Sequence, residues 1–303
     1  MSVAMKPAYI DRLSLSDLKD RAEHLHTLMA ECTICPRNCG VNRLEGRYGV
    51  CRTDEHPRIS SASPHFGEEP PLVGYKGSGT IFFASCNLKC LFCQNYEISH
   101  LRNGREATPK QLAEIMLALQ RMGCHNINLV TPTHVTPQIV EALVTAVQQG
   151  LSLPIVYNCG GYESVTTLQL LDGIVDIYMP DIKYSNNQNA RKYSGAKDYW
   201  DIVRPAVKEM HRQVGCLEVD RAGIAVKGVL IRHLVLPNNL AGSQQVLDFV
   251  ANEISVDSYV NIMDQYRPAF RAMNYPELAR RPTQSEYQQV VEYAKHVGLQ
   301  RGF

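Results

Sequence analysis

Past residue 105 the chain alternates amphipathic helical stretches with short apolar runs. Thr108 is an N-cap and Pro109 a first helical residue for a helix that runs to Met122 and is closed by Gly123. Thr136 and Pro137 open a second helix that ends at Gly150, and Ser164 opens a short third. Residues 198–214 and 243–254 carry apolar positions every three or four residues, and Thr283 with Glu286 forms a capping box for a terminal helix through Val297. Between these helices, and once before them, lie six apolar runs at 80–84, 126–130, 154–157, 175–179, 229–236 and 259–262. Continuous apolar runs of this length read as strands buried on both faces, the signature of a parallel sheet. Strands joined by helices imply right-handed crossovers, so the predicted fold class is α/β. Six repeats are too few for a closed eight-stranded barrel, and the pattern does not separate a partial barrel from a doubly wound sheet. Gly77 and Gly79 precede a strand instead of following one, so they make no dinucleotide fingerprint.

The expected organisation has three parts: 1–72, 73–270 and 271–303. The first carries a short amphipathic helix at 16–29 and a stretch rich in cysteine and proline. The second is the repeat of strands and helices, and the third is a C-terminal helix that could pack across an open side of the repeat. A chain of 303 residues can bury a large core. Its net charge of +1, with the signs mixed, sets up no field that would steer nucleic acid. Residues 1–11 lack a basic segment followed by an apolar one, and no run reaches the roughly 18 apolar residues of a membrane helix. The expectation is a cytoplasmic protein with neither nucleic acid nor membrane as partner. Ten cysteines at close spacings in such a chain read as metal ligands ahead of disulfides.

Cys86, Cys90 and Cys93 form a C-x3-C-x2-C loop directly after the first apolar run. Three thiolates can hold three corners of a [4Fe-4S] cubane and leave one iron open for chemistry. The same positions would share one face of a helix as structural thiols, but the β-rich approach and the Cys-Asn-Leu start argue against a helix. A Cys3His zinc site with His100 is the stronger rival.

With Phe92 in its aromatic place, this loop resembles the signature of the radical S-adenosylmethionine superfamily. The longer stretch, Glu68 to Gly74, Gly77 to Phe83 and Cys86 to Asn95, resembles its pyruvate formate-lyase activating enzyme-like branch of iron-sulfur proteins. The resemblance spans roughly residues 32–270. It implies a partial (β/α)6 TIM-type barrel with its chemistry at the C-terminal ends of the strands. It also implies a [4Fe-4S] cluster, S-adenosylmethionine, and an electron donor such as flavodoxin or ferredoxin. Asp181 and Lys183 resemble the D-x-K element that contacts the cofactor in glycyl radical enzyme activases, and Arg232 resembles an arginine that pairs with the methionyl carboxylate. Where the family carries a G-G-E element for the methionyl amino group, this chain has Thr131, Thr133 and His134. Asn158 with the glycine pair Gly160–Gly161, and Gln265, Tyr266 and Arg267 after the last strand, complete the candidate cofactor contacts. Cys159, Cys124 and Cys216 read as small buried groups, and the acidic turn at 68–71 reads as solvated.

A second group, Cys32, Cys35, Cys39 and Cys51, supplies four sulfur ligands within twenty residues, enough for zinc or a second iron-sulfur cluster. The expected function is a radical enzyme that cleaves S-adenosylmethionine to a 5′-deoxyadenosyl radical and abstracts hydrogen from a glycyl radical enzyme, another peptide or protein, or a small molecule. The alternative is a non-enzymatic iron-sulfur or zinc protein that carries electrons or serves as an interaction module.

Overall fold

The computed structural model describes residues 6–303. Its strands are β1 (Arg58–His65), β2 (Ser78–Phe83), β3 (Arg105–Glu106), β4 (Ile127–Val130), β5 (Ile155–Cys159), β6 (Ile177–Pro180), β7 (Glu218–Val219), β8 (Ala225–Leu234) and β9 (Tyr259–Met263). The helices are α1 (Ala8–Asp11), α2 (Leu15–Thr27), α3 (Pro70–Val73), α4 (Tyr96–Ser99), α5 (Pro109–Arg121), α6 (Thr136–Gln148), α7 (Val165–Leu170), α8 (Asn187–Ser194), α9 (Tyr199–Val214), α10 (Ser243–Phe249) and α11 (Gln284–His296).

The strands order as β3-β1-β2-β4-β5-β6-β8, with β7 and β9 both paired to β8. Strands β2, β4, β5, β6, β8 and β9 run parallel in sequence order, as the six apolar runs predict. The array does not close, and the architecture is a partial barrel. Ile81, Leu129, Tyr157 and Tyr178 face the helix layer of the main core, while Val156, Ile177, Met179 and Leu230 form a separate inner core. Two buried faces are what remove alternation from a parallel strand.

Several elements went unpredicted. Strand β1 falls in residues 1–72 yet pairs antiparallel with β2 from Ile59↔Phe83 to His65↔Ser78. It carries no apolar alternation, because none of its residues is buried and Ser61, Ala62 and Ser63 are exposed in a row. Helix α3 is a single turn, too short to show a period, and it inserts Leu72 into the inner core. At the other end, α10 continues as a π-turn, Val250–Ile254, and α11 packs on α10. Beyond α11, the Arg301 carbonyl accepts the Val260 N–H (2.9 Å), so the C-terminal tail lies along the outer edge of β9.

Candidate functional site

The cysteine loop leaves the carboxyl end of β2 through Ser85, whose φ of 77° turns the chain and whose N–H bonds Ile98 O at 2.8 Å. The loop is pinned along its length. Lys89 and Leu91 donate their N–H groups to Ser194 and Tyr193 of α8, and Asn87 Nδ2 donates to Tyr162 O (2.8 Å). Each thiol has a polar neighbour: Cys86 Sγ accepts the Leu88 N–H (3.3 Å), Cys90 Sγ accepts Ser194 Oγ (3.0 Å), and Cys93 Sγ meets Ser99 Oγ at 3.1 Å. Burial, then repulsion from Cys90, pushes the Cys86 thiol up to about 12, and burial also raises Cys90. His100 bonds the Cys90 carbonyl (3.0 Å) instead of joining the thiols. That contact turns the imidazole to the backbone, so the Cys3His arrangement is not formed.

Cys90 and Cys93 line a cavity of about 230 Å³ together with Phe92, Asp181, Lys183, Arg232, Leu234, Met263 and Gln265. Asp181 leaves the end of β6 and bridges to Arg232 on β8. Its carboxylate accepts Lys183 Nζ and Arg232 Nε, each at 2.7 Å. Burial alone would raise the Asp181 pKa, but Arg232 and Lys183 outweigh it and hold the group at about 2. Burial opposes the charge on Lys183, and the Asp181 carboxylate more than restores it. Arg232 Nη2 donates to Asn158 Oδ1 at 2.8 Å, which places Asn158 in the same network.

Two contributors were missed. The turn at 68–71 is not solvated: Glu68 Oε2 and Glu69 Oε1 lie 3.5 and 3.6 Å from Arg232 Nη1, and Glu69 is 6% exposed. Glu69 Oε1 also accepts Asn261 Nδ2 (3.0 Å) from β9. Burial pushes Glu68 up to about 7 against the pull of Arg232. The signal available in the sequence was the Pro-Pro-Leu that follows, which stiffens the turn and carries the apolar Leu72 into the barrel.

Other candidates sit elsewhere. Thr133 donates to the buried Glu163 (2.7 Å), and Tyr266 is buried with its hydroxyl on Leu278 O (2.8 Å) and its ring edge against Phe92. His134 bonds Ala84 O (2.8 Å), and burial drops its pKa to about 3. Thr131 holds a φ of 60° beside Asn158, to whose carbonyl it donates (2.8 Å), and Arg267 is exposed. Gly160 and Gly161 serve packing: a Cβ on Gly160 would meet Leu88 Cδ1 at 2.8 Å, and one on Gly161 would meet Asp181 O at 2.5 Å.

An open parallel barrel with three thiols over the ends of its strands and charged side chains facing them is the scaffold of a cluster-dependent radical enzyme. The chain belongs to the radical SAM superfamily, whose model matches residues 80–250. Membership brings a [4Fe-4S] cluster and S-adenosylmethionine, and the donor set fits: three thiols, two of them lining a cavity that also holds an arginine and a lysine. The chain is 34% identical over 94% of its length, and 80% of the relative's, to an uncharacterized protein of Methanocaldococcus jannaschii. It is 24% identical to a second uncharacterized protein of that organism, over 92% of this chain and 81% of the other. The fold is similar to that of a radical SAM methyltransferase from Sphaerobacter thermophilus, with a TM-score of 0.50 and 14% identity, covering 73% of this chain and 64% of that one. No helix among the described residues is long and apolar enough to cross a membrane.

Proposed function

We propose that the chain is a hydrogen-abstracting radical enzyme of the activase-like branch, with Cys86, Cys90 and Cys93 as the cluster ligands and a peptide or protein as substrate. When bound, the reduced cluster supplies the electron that cleaves S-adenosylmethionine to methionine and a 5′-deoxyadenosyl radical. The observation that carries the reading is the cavity in which Cys90 and Cys93 face Asp181, Lys183 and Arg232. Lys183 spends one N–H on Asp181 and keeps two for a ligand carboxylate. Arg232, held at Nε and Nη2, presents a fixed guanidinium to the same cavity. Phe92, packed against Tyr266, keeps one wall apolar and dry. The substrate class rests on the unclosed sheet, whose open side leaves room for an extended segment across the strand ends.

Anaerobically reconstituted protein with dithionite and S-adenosylmethionine is expected to release 5′-deoxyadenosine, and Cys90→Ser and Cys93→Ser to release none. An iron-loaded protein that binds no S-adenosylmethionine would instead be an electron carrier. With deuterated candidate proteins and deuterated metabolite pools, label entering 5′-deoxyadenosine only from metabolites rejects the peptide substrate.

A further inference from the structure

The four-cysteine segment has no part in the chemistry described above, and its thiols are grouped, with Cys32 and Cys51 both within electrostatic reach of Cys35. All four are free, and Cys32, Cys35 and Cys51 are 7–8% exposed. The local apolar cluster is small, built on Met29, Cys32 and Ile34. Backbone N–H groups point at sulfur: Val50 at Cys39 Sγ (3.4 Å) and Arg37 at Cys35. A Cβ on Gly49 would fall 2.7 Å from Cys39 Sγ, so the chain keeps glycine where it passes that thiol.

The segment lies against the loop of the first three cysteines. Arg37, between Cys35 and Cys39, donates Nε to Asn87 O (2.8 Å) inside that loop and Nη1 to Gly195 O (2.5 Å), and stacks over Tyr162 at 5.2 Å. The Lys89 ammonium sits within electrostatic reach of Cys86 and Cys51 at once, with Arg37 and Arg52 beside it. Lys89 therefore reaches both thiol groups and has two further cations beside it, a distribution that suits two anionic metal centres. The cavity is lined by Cys90 and Cys93 but not by Cys86, so the four-cysteine group adjoins the side of the loop away from the ligand face.

Position separates the two metals. Cys35 lies within electrostatic reach of Cys32 and Cys51, and the Val50 N–H ties Cys39 to the turn before Cys51, so the four thiols form one group. Zinc has no redox chemistry, whereas an iron-sulfur cluster held against the first loop through Arg37 and Lys89 would be placed to exchange electrons with it.

We propose that Cys32, Cys35, Cys39 and Cys51 bind a second [4Fe-4S] cluster that relays an electron into the first, a role that rests on the radical reading above. A low-potential one-electron donor reduces the second cluster from the 2+ to the 1+ state. That cluster returns to 2+ as the first takes the electron, and no proton moves.

The test uses the full chain, loaded anaerobically with iron and sulfide in the presence of zinc. The expected content is about eight irons, falling to about four in Cys35→Ser/Cys51→Ser and about four in the triple Cys86, Cys90 and Cys93→Ser variant. Dithionite-reduced wild type should show an EPR spectrum broadened by two coupled paramagnets, and either variant a single uncoupled signal. One zinc with about four irons in wild type overturns the proposal, as does a wild-type spectrum without coupling. Should the Cys35→Ser/Cys51→Ser variant fail to fold, the wild-type metal count and spectrum decide alone. Loss of iron from Cys35→Ser/Cys51→Ser but not from the triple variant would keep this site and defeat the radical reading.

Discussion

Replacing Arg232 with alanine removes the cation that faces three carboxylates. Asp181 Oδ1 is 2.7 Å from its guanidinium, Glu68 3.5 Å and Glu69 3.6 Å, and side-chain exposures are 18, 9 and 6%. At an effective dielectric of about 20, each such contact is worth about 4 kcal/mol before desolvation is charged against it. Breaking a buried pair from one side costs about 3–5 kcal/mol, because the remaining charge stays buried. Lys183 still neutralises Asp181, so the loss falls on Glu68 and Glu69. Glu68 stands at about 7 even with Arg232 beside it, and without it burial and the neighbouring carboxylates are unopposed. A carboxyl whose folded pKa is raised contributes stability below its unfolded pKa and loses it as pH rises through the folded value. The variant therefore gives up about 1.4 kcal/mol more than wild type between about pH 6 and about pH 8. Anaerobic urea titrations of loaded protein at both pH values measure this. Arg232→Met/Glu68→Gln/Glu69→Gln, which removes the buried anions too, should recover most of the stability. An Arg232→Ala protein within about 1 kcal/mol of wild type at both pH values would mean that water, not Arg232, solvates these carboxylates. The same variant should keep its iron and lose about 1.5–3 kcal/mol of S-adenosylmethionine binding, the worth of one charged hydrogen bond.

Glu163, fully buried and raised to about 8 by that burial, contributes stability below its unfolded pKa and loses it as pH rises through about 8. Glu163→Gln should flatten the pH dependence of the urea midpoint by roughly 1.4 kcal/mol per unit between those limits, and an unchanged slope would contradict the assignment. Gly161→Ala puts a Cβ 2.5 Å from Asp181 O at a φ of 74°. The strain alone should cost about 1–3 kcal/mol by denaturation, and displacement of Asp181 should weaken S-adenosylmethionine binding by equilibrium dialysis.

The six parallel strands were legible because burial on both faces turns each into an unbroken apolar run, and the long helices because Thr108 with Pro109 announces an N-cap and Thr283 with Glu286 a capping box. Strand β1 and helix α8 were not. The first is half exposed, and the second, Asn187–Ser194, is a polar stretch held by the Asn186 cap and by contacts with the cysteine loop. At the site, Asp181, Lys183, Arg232, Asn158 and Gln265 were readable as strand-end polar residues, and the structure gathers them around one cavity or its hydrogen bonds. Thr133 and Tyr266 also follow strand ends, but their hydroxyls are consumed by Glu163 and Leu278 O. Local position predicts which end of the barrel a side chain occupies, and only packing decides whether it turns toward the cavity.

Glu68 and Glu69 show what a one-dimensional reading omits. Acidic residues beside two prolines ordinarily mark a turn in water, because isolated buried carboxylates are costly. The cost is met here by a residue more than 160 positions away, Arg232, with Asn261 of the neighbouring strand as a further donor to Glu69. Leu72, one residue beyond the prolines, anchors the turn in the inner core and so fixes the height at which the carboxylates stand. The tier holds three carboxylates, Glu68, Glu69 and Asp181, against two cations, Arg232 and Lys183. At neutral pH the surplus charge is carried by Glu68, whose pKa of about 7 lets it hold or release a proton at little cost. Burial holds that proton on and Arg232 pulls it off, so the excess of carboxylate over cation in this tier falls on the residue where the two effects oppose each other most directly.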